Sequence, residues 1–183
     1  MLVLASQSPR RAEILRQSGI PFVVRTAAVD ETPRRGERPE DCVRRLAALK
    51  ALAVPRAADE VVLGADTTVV IDGEMLGKPA GDAEARRMLA LLSGRRHEVV
   101  TGICLRGPAG TICDWASTSV WFAPMTAREI DDYVSSGEPM DKAGAYGIQG
   151  LASKFIEKIE GCYFNVVGLP AALVYRRLLG MEG

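Results

Sequence analysis

Residues 61–73 read Val61-Val62-Leu63-Gly64-Ala65-Asp66-Thr67-Thr68-Val69-Val70-Ile71-Asp72-Gly73. Val61–Ala65 is a short apolar run of the kind that forms a buried strand. Thr68–Ile71 is a second such run, rich in β-branched residues. Asp72-Gly73 then supplies a hairpin turn signal. Strands buried among helices belong to α/β sheets, whereas a hairpin demands antiparallel pairing. The stretch therefore points to a mixed α/β sheet rather than a purely parallel one.

The flanks repeat this alternation. Upstream, Leu2–Ala5 is a short strand. Ser8 and Pro9 suit the N-cap and first position of a helix that Gly19 ends. Phe22–Val24 is a strand, and residues 26–39 are a charged loop with Pro33, Gly36 and Pro39. Residues 40–53 are predicted as a helix with Cys42, Leu46, Leu49 and Ala53 on its apolar face. Downstream, Ala85, Met88, Leu89 and Leu92 mark a helix that stops at Gly94. Segments 97–106 and 111–123 form a long hairpin through Gly107-Pro108-Ala109-Gly110. A helix follows near 127–136, then a loop over 137–150. Residues 154–167 suggest two strands turning at Gly161, and Gly168-Leu169-Pro170 opens a final helix through Leu179.

Composition removes whole classes. The 183 residues carry 23 Lys+Arg and 23 Asp+Glu, a formal net charge of zero. That argues against a broad basic face for nucleic acid, and 5% aromatics argues against a base-stacking RNA module. The single His97 excludes a multi-histidine zinc site, and a Ser/His/Asp triad would have to run through it. His97 itself, opening a strand, is expected half-buried or exposed. Cys42, Cys104, Cys113 and Cys162 have no C-x-x-C spacing and read as buried thiols of a reducing compartment. No signal segment and no apolar run near 18 residues is present, so the expectation is a soluble cytoplasmic protein that binds no membrane.

Five motifs carry chemistry. Ser6-Gln7-Ser8-Pro9-Arg10-Arg11 puts arginines at the positive end of a helix dipole, a conflict that bound phosphate would resolve. Asp30-Glu31 is a carboxylate pair able to hold Mg²⁺ or move protons. Gly64-Ala65-Asp66-Thr67-Thr68 places Asp66 at a strand end as a metal ligand or a base toward water. Gly77-Lys78-Pro79 holds a lysine on a stiff loop within reach of phosphate, and Lys50 flanks the apolar stripe of its helix. Asp141–Gly150 has three glycines that permit close backbone approach to a planar ligand, and Gln149 could read a base edge. Each also has a plainer reading as a cap, a solvated loop charge or a structured turn. The pairs Arg34-Arg35 and Arg44-Arg45 read as solvated, and Trp115, Trp121 and Phe122 as packing or interface residues.

Taken in series with Val29-Asp30-Glu31-Thr32 and Asn165-Val166-Val167-Gly168-Leu169-Pro170, these motifs make the chain resemble the Maf family of nucleoside triphosphate pyrophosphatases. The resemblance implies one Maf domain over residues 1–183. It implies an elongated mixed sheet flanked by helices, with two lobes and a central cleft, similar to the inosine triphosphatase (Maf/Ham1) fold. It implies hydrolysis of a nucleoside triphosphate to the monophosphate and pyrophosphate with Mg²⁺ or Mn²⁺, in a homodimer. By the same resemblance Asp66 is the catalytic acidic residue, and Glu31 binds the metal with it. Ser8, Arg10, Arg11, Lys50 and Lys78 are phosphate-site positions. Arg10, Thr67 and Gln149 match the branch that prefers dTTP and UTP. The branch preferring 7-methyl-GTP carries Trp, Gln and Glu there. A nucleotide-binding regulator of septum formation without turnover is the alternative of a different class.

Overall fold

The computed structural model describes residues 1–181. Ser8 caps helix α1 (Pro9–Gln17) as its sequence predicts, with Pro9 in the first turn and no acidic residue there. Strands β1 (Leu2–Leu4) and β2 (Phe22–Val24) lie either side of it in sequence. Helix α2 (Pro39–Ala53) precedes β3 (Val61–Ile71), β4 (Glu74–Leu76) and α3 (Asp82–Leu92). The long strands β5 (Arg96–Gly107) and β6 (Gly110–Phe122) lead to α4 (Ala127–Ser135). After short 3₁₀ turns come β7 (Ile156–Glu160), α5 (Tyr163–Val167) and α6 (Ala171–Leu179).

Among the described residues the sheet has seven strands, in the order β2-β1-β3-β5-β6-β7, with β4 also paired to β3. Strand β1 runs parallel to both β2 and β3, whereas β3 with β4 and β6 with β7 are antiparallel. The mixed α/β reading therefore holds. At the β3–β4 turn Asp72 and Gly73 both have positive φ, 51° and 81°, the conformation that makes Asp-Gly a hairpin former.

The chain divides into two compact units. The first holds Met1–Asp66, Thr101–Ala116 and the stretch from Gly168 onward; the second holds Thr67–Val100 and Ser117–Val167. In the first, α2 lies directly on the sheet backbone. A Cβ at Gly64 would collide with the carbonyl of Ala47, and one at Gly102 with the backbone of Val43. Small residues face this contact: Ala47 and Ala51 are buried with Val3, Ala5, Val62 and Cys104. In the second unit α3 and α4 bury Leu89, Leu92, Tyr133 and Val134 against Val69, Val120 and Phe122.

Five expectations change. Residues 61–71 are one strand, so Asp66 is interior to β3 rather than at a strand end. Gly64 is there for helix contact and does not break the strand. The inner face of α2 runs through Cys42, Val43, Leu46, Ala47 and Ala51, while Leu49 and Ala53 are exposed. Close packing selects the alanines over the larger leucine.

Residues 163–167 are helical rather than a second strand after Gly161. Asn165 is buried there and donates to Val99 O (2.9 Å) and to Thr118 Oγ1 (3.0 Å), which anchors the turn. His97 is only 2% exposed, packed edge-on against Phe122 and Tyr146. Of the thiols, Cys42 and Cys104 are buried, Cys113 is exposed and Cys162 is half-buried; all four are free.

Candidate active site

The Gly64–Ala47 contact sets the geometry of the site. Asp66 follows Gly64 by two residues, on the same face of the strand. Lys50 follows Ala47 by three, on the same side of the helix. The two side chains therefore meet: Lys50 Nζ lies 2.6 Å from Asp66 Oδ1 and 3.0 Å from Glu31 Oε2. Lys50 and Asp66 are nearly buried, whereas Glu31 is open to solvent.

Glu31 comes from the 26–38 loop, and that loop is tied down. The carboxylate of Asp30 turns back on its own chain, accepting from Thr32 N (2.9 Å) and Thr32 Oγ1 (2.6 Å). Asp30 is therefore not the partner carboxylate that the Asp30-Glu31 pair suggests; Asp66 is. Arg45 donates to Glu37 at 2.6 and 2.7 Å and to the Thr32 carbonyl at 3.2 Å, fastening the loop to α2. This corrects the reading of Arg45 as solvated. The pairing holds the Glu37 carboxyl well down, at about 2.

The start of α1 belongs to the same unit. Ser8 Oγ accepts from Arg11 N at 3.5 Å. Ser6 Oγ accepts from Ser8 N (3.2 Å) and from Arg11 Nη1 (3.1 Å). Arg11 Nε donates to the Gly168 carbonyl at 2.8 Å. Burial pulls the Arg11 guanidinium below its ordinary value, the charges of Asp66 and Glu31 oppose that, and Arg10 adds to it. Arg11 is thus within electrostatic reach of the carboxylate pair. A helix terminus with two serines and two arginines is a combination whose chemistry suits an anion. The sequence places Gly168 in a motif and at a helix start but gives it no part in the site. Its carbonyl orients Arg11, and only the fold brings it there from the far end of the chain.

Thr67, Lys78 and Gln149 belong to the second unit. Thr67 is half-buried and, by strand alternation, lies on the face of β3 opposite Asp66. Lys78 and Gln149 are exposed. Their two loops are joined, since Gly144 N donates to the Gly77 carbonyl at 3.1 Å. Gly144, at φ 69°, leaves no room for a Cβ against Val69.

The carboxylate oxygens of Glu31 and Asp66 converge on one ammonium, which is an arrangement suited to a hard cation. Among the described residues no cluster of three or more His, Cys, Asp or Glu side chains is gathered for a metal. A divalent ion on these two carboxylates would complete its shell with substrate oxygens and water, which is usual for Mg²⁺.

A mixed α/β sheet carrying a serine- and arginine-bearing helix terminus and a carboxylate–lysine–carboxylate group has the side chains that phosphate chemistry uses. The chain matches the model of the family described as Maf-like protein over residues 1–181 and belongs to that family. It is 52% identical over 178 residues to the dTTP/UTP pyrophosphatase of Koribacter versatilis, covering 97% of this chain and 92% of that protein. It is 55% identical over 170 residues to the dTTP/UTP pyrophosphatase of Symbiobacterium thermophilum, covering 92% and 88%. Among solved structures it is similar to the Staphylococcus aureus Ham1 protein (TM-score 0.55, 17% identity, 100% and 99% covered). A HAM1 protein from Coxiella burnetii gives a TM-score of 0.52 at 17% identity, with 98% of each chain covered. At that identity the two structures establish the fold alone. No helix among the described residues is long and apolar enough to cross a membrane.

Proposed function

We propose that this chain hydrolyses dTTP and UTP to the nucleoside monophosphate and pyrophosphate. The observation that carries the chemistry is the sharing of Lys50 between Asp66 and Glu31, beside the capped turn that holds Arg11. Relatives more than 50% identical over nearly the whole chain, each named a dTTP/UTP pyrophosphatase, support the substrate.

In this reading the triphosphate lies along Ser8, Arg10 and Arg11. A water attacks the α-phosphorus, the bond from α-phosphorus to the bridging oxygen breaks, and pyrophosphate leaves. Asp66 takes the proton from the water. Arg11, Lys50 and Lys78 stabilise charge growing on the leaving group; losing one such donor costs about 3–4 kcal/mol of barrier. Glu31 and Asp66 would hold Mg²⁺ or Mn²⁺. When bound, that ion neutralises phosphate charge and lowers the pKa of water. Gln149 reads the pyrimidine: with its NH2 toward O4 and its carbonyl toward N3–H the amide serves both, and only when held in that orientation does it oppose cytosine's reversed pattern. Arg10 and Thr67 complete the preference. Residues 1–183 act as one functional domain, in a cytoplasmic homodimer.

The test is pyrophosphate release from dTTP, UTP, CTP, 7-methyl-GTP and ATP, with Mg²⁺ and with a chelator. Release confined to dTTP and UTP and lost on chelation is expected. Release mainly from 7-methyl-GTP overturns the substrate, and binding without release overturns the enzyme.

A further inference from the structure

Gln149 sits exposed on a turn in which Gly150 N donates to Gly147 O at 3.2 Å. Both ends of that turn are held by the same pair of side chains. At the entry, Gly147 N donates to Tyr133 Oη at 3.3 Å. At the exit, Leu151 N donates to Glu138 Oε2 at 3.0 Å. The pair is itself joined, because Tyr133 Oη donates to Glu138 Oε1 at 2.9 Å. Gly150 lies so close over the Glu138 carboxylate that a Cβ there would overlap it. Tyr133 is 2% exposed and comes from α4, a helix with its own capping box at Thr126 and Glu129. A side chain of that helix and one from the 3₁₀ turn that follows it (Glu138–Asp141) thus grip a short turn at its two ends, with Gln149 at the third position between them.

We infer that Tyr133 and Glu138 are positioning residues for nucleobase selection, a clamp that fixes where the Gln149 amide stands. The inference rests on the reading of Gln149 as the base-recognising residue. Neither clamp residue needs to touch the nucleotide. Their effect passes through two backbone N–H groups, so it reaches the choice of base and leaves bond cleavage alone. The carboxylate accepts two hydrogen bonds at once and bridges the tyrosine to the turn. A glutamine can keep the Leu151 contact through its carbonyl oxygen.

The experiment measures kcat/KM for UTP and for CTP by pyrophosphate release. Variants Y133F, E138A, E138Q and Q149A are compared with Y133F/Q149A. Loss of one clamping hydrogen bond is expected to lower the UTP:CTP ratio about fivefold in Y133F and E138A. The loss should fall on KM for UTP, with kcat within about twofold of the parent. E138Q should retain the ratio. In the Q149A background Y133F should lower it no further, since both changes then act through one group.

An unchanged ratio in Y133F and E138A, with a reduced one in Q149A, overturns the clamp and leaves base recognition by Gln149 standing. An unchanged ratio in Q149A overturns that recognition and the clamp with it. A fall in kcat without a change in ratio assigns the pair a merely structural role and also overturns the proposal.

Discussion

The carbonyl oxygen of Ala47 occupies the space that a Cβ on residue 64 would need. That contact seats α2 on β3, and through it Lys50 reaches Asp66 at 2.6 Å. Gly64→Ala must push the helix away from the strand. We expect a destabilisation of about 1–3 kcal/mol by overpacking, together with loss of turnover in the protein that still folds. Thermal melts paired with pyrophosphate release measure both. A variant with undiminished activity would detach the helix contact from the site.

Lys50 has two carboxylate partners, so its removal leaves two negative charges facing incoming triphosphate. Lys50→Met keeps most of the stem packing and removes the charge. Turnover of UTP should fall about a hundredfold or more, with the melting temperature far less affected. Steady-state kinetics beside a melt give the comparison.

Arg11 anchors itself by donating to Gly168 O and Ser6 Oγ. Arg11→Lys keeps a charge but cannot reproduce the planar fork. The Gly168 carbonyl then loses a donor, at about 1–3 kcal/mol if nothing replaces it. The expected result is lower stability and weaker substrate binding together. Denaturant melts and KM for UTP would show it.

Acid should act on His97 first and Glu37 later. Burial lowers His97 to about 4 from 6.5, so the folded state favours the neutral ring. Its contribution is complete above pH 6.5 and is lost as pH falls toward 4. Over that window one proton is taken up on unfolding, a slope approaching about 1.4 kcal/mol per pH unit. Glu37, held at about 2 by Arg45, contributes above 4.5 and loses that contribution as pH falls toward 2. Unfolding free energy measured against pH should flatten between 6.5 and 4 in His97→Asn. It should flatten between 4.5 and 2 in Glu37→Gln.

Local signals in the sequence translate directly into structure. Ser8-Pro9 does start α1, Asp72-Gly73 does turn the β3–β4 hairpin, and Gly94, at φ 66°, does follow α3. What was not legible depends on partners distant in sequence. Gly64 and Gly102 sit inside segments read as strands, and nothing near them in sequence says why they are glycine, because the helix that needs them bare lies elsewhere in the chain. Arg45 looks solvated until Glu37 and Thr32 fold over it. Asp30-Glu31 looks like the carboxylate pair, because adjacency is visible in a sequence whereas the meeting of Glu31 with Asp66 through Lys50 is not. The clamp of Tyr133 and Glu138 on the Gln149 turn uses backbone N–H groups, which leave no trace in residue type.

The central claim is that Asp66 takes a proton from water as the α-phosphorus is attacked. Its most direct test is pyrophosphate release from UTP by Asp66→Asn, alongside a thermal melt and a measurement of UTP binding. The account predicts a folded protein that still binds UTP and releases pyrophosphate at least about a thousandfold more slowly. Near-normal release by a folded Asp66→Asn protein would contradict it and remove Asp66 from the mechanism.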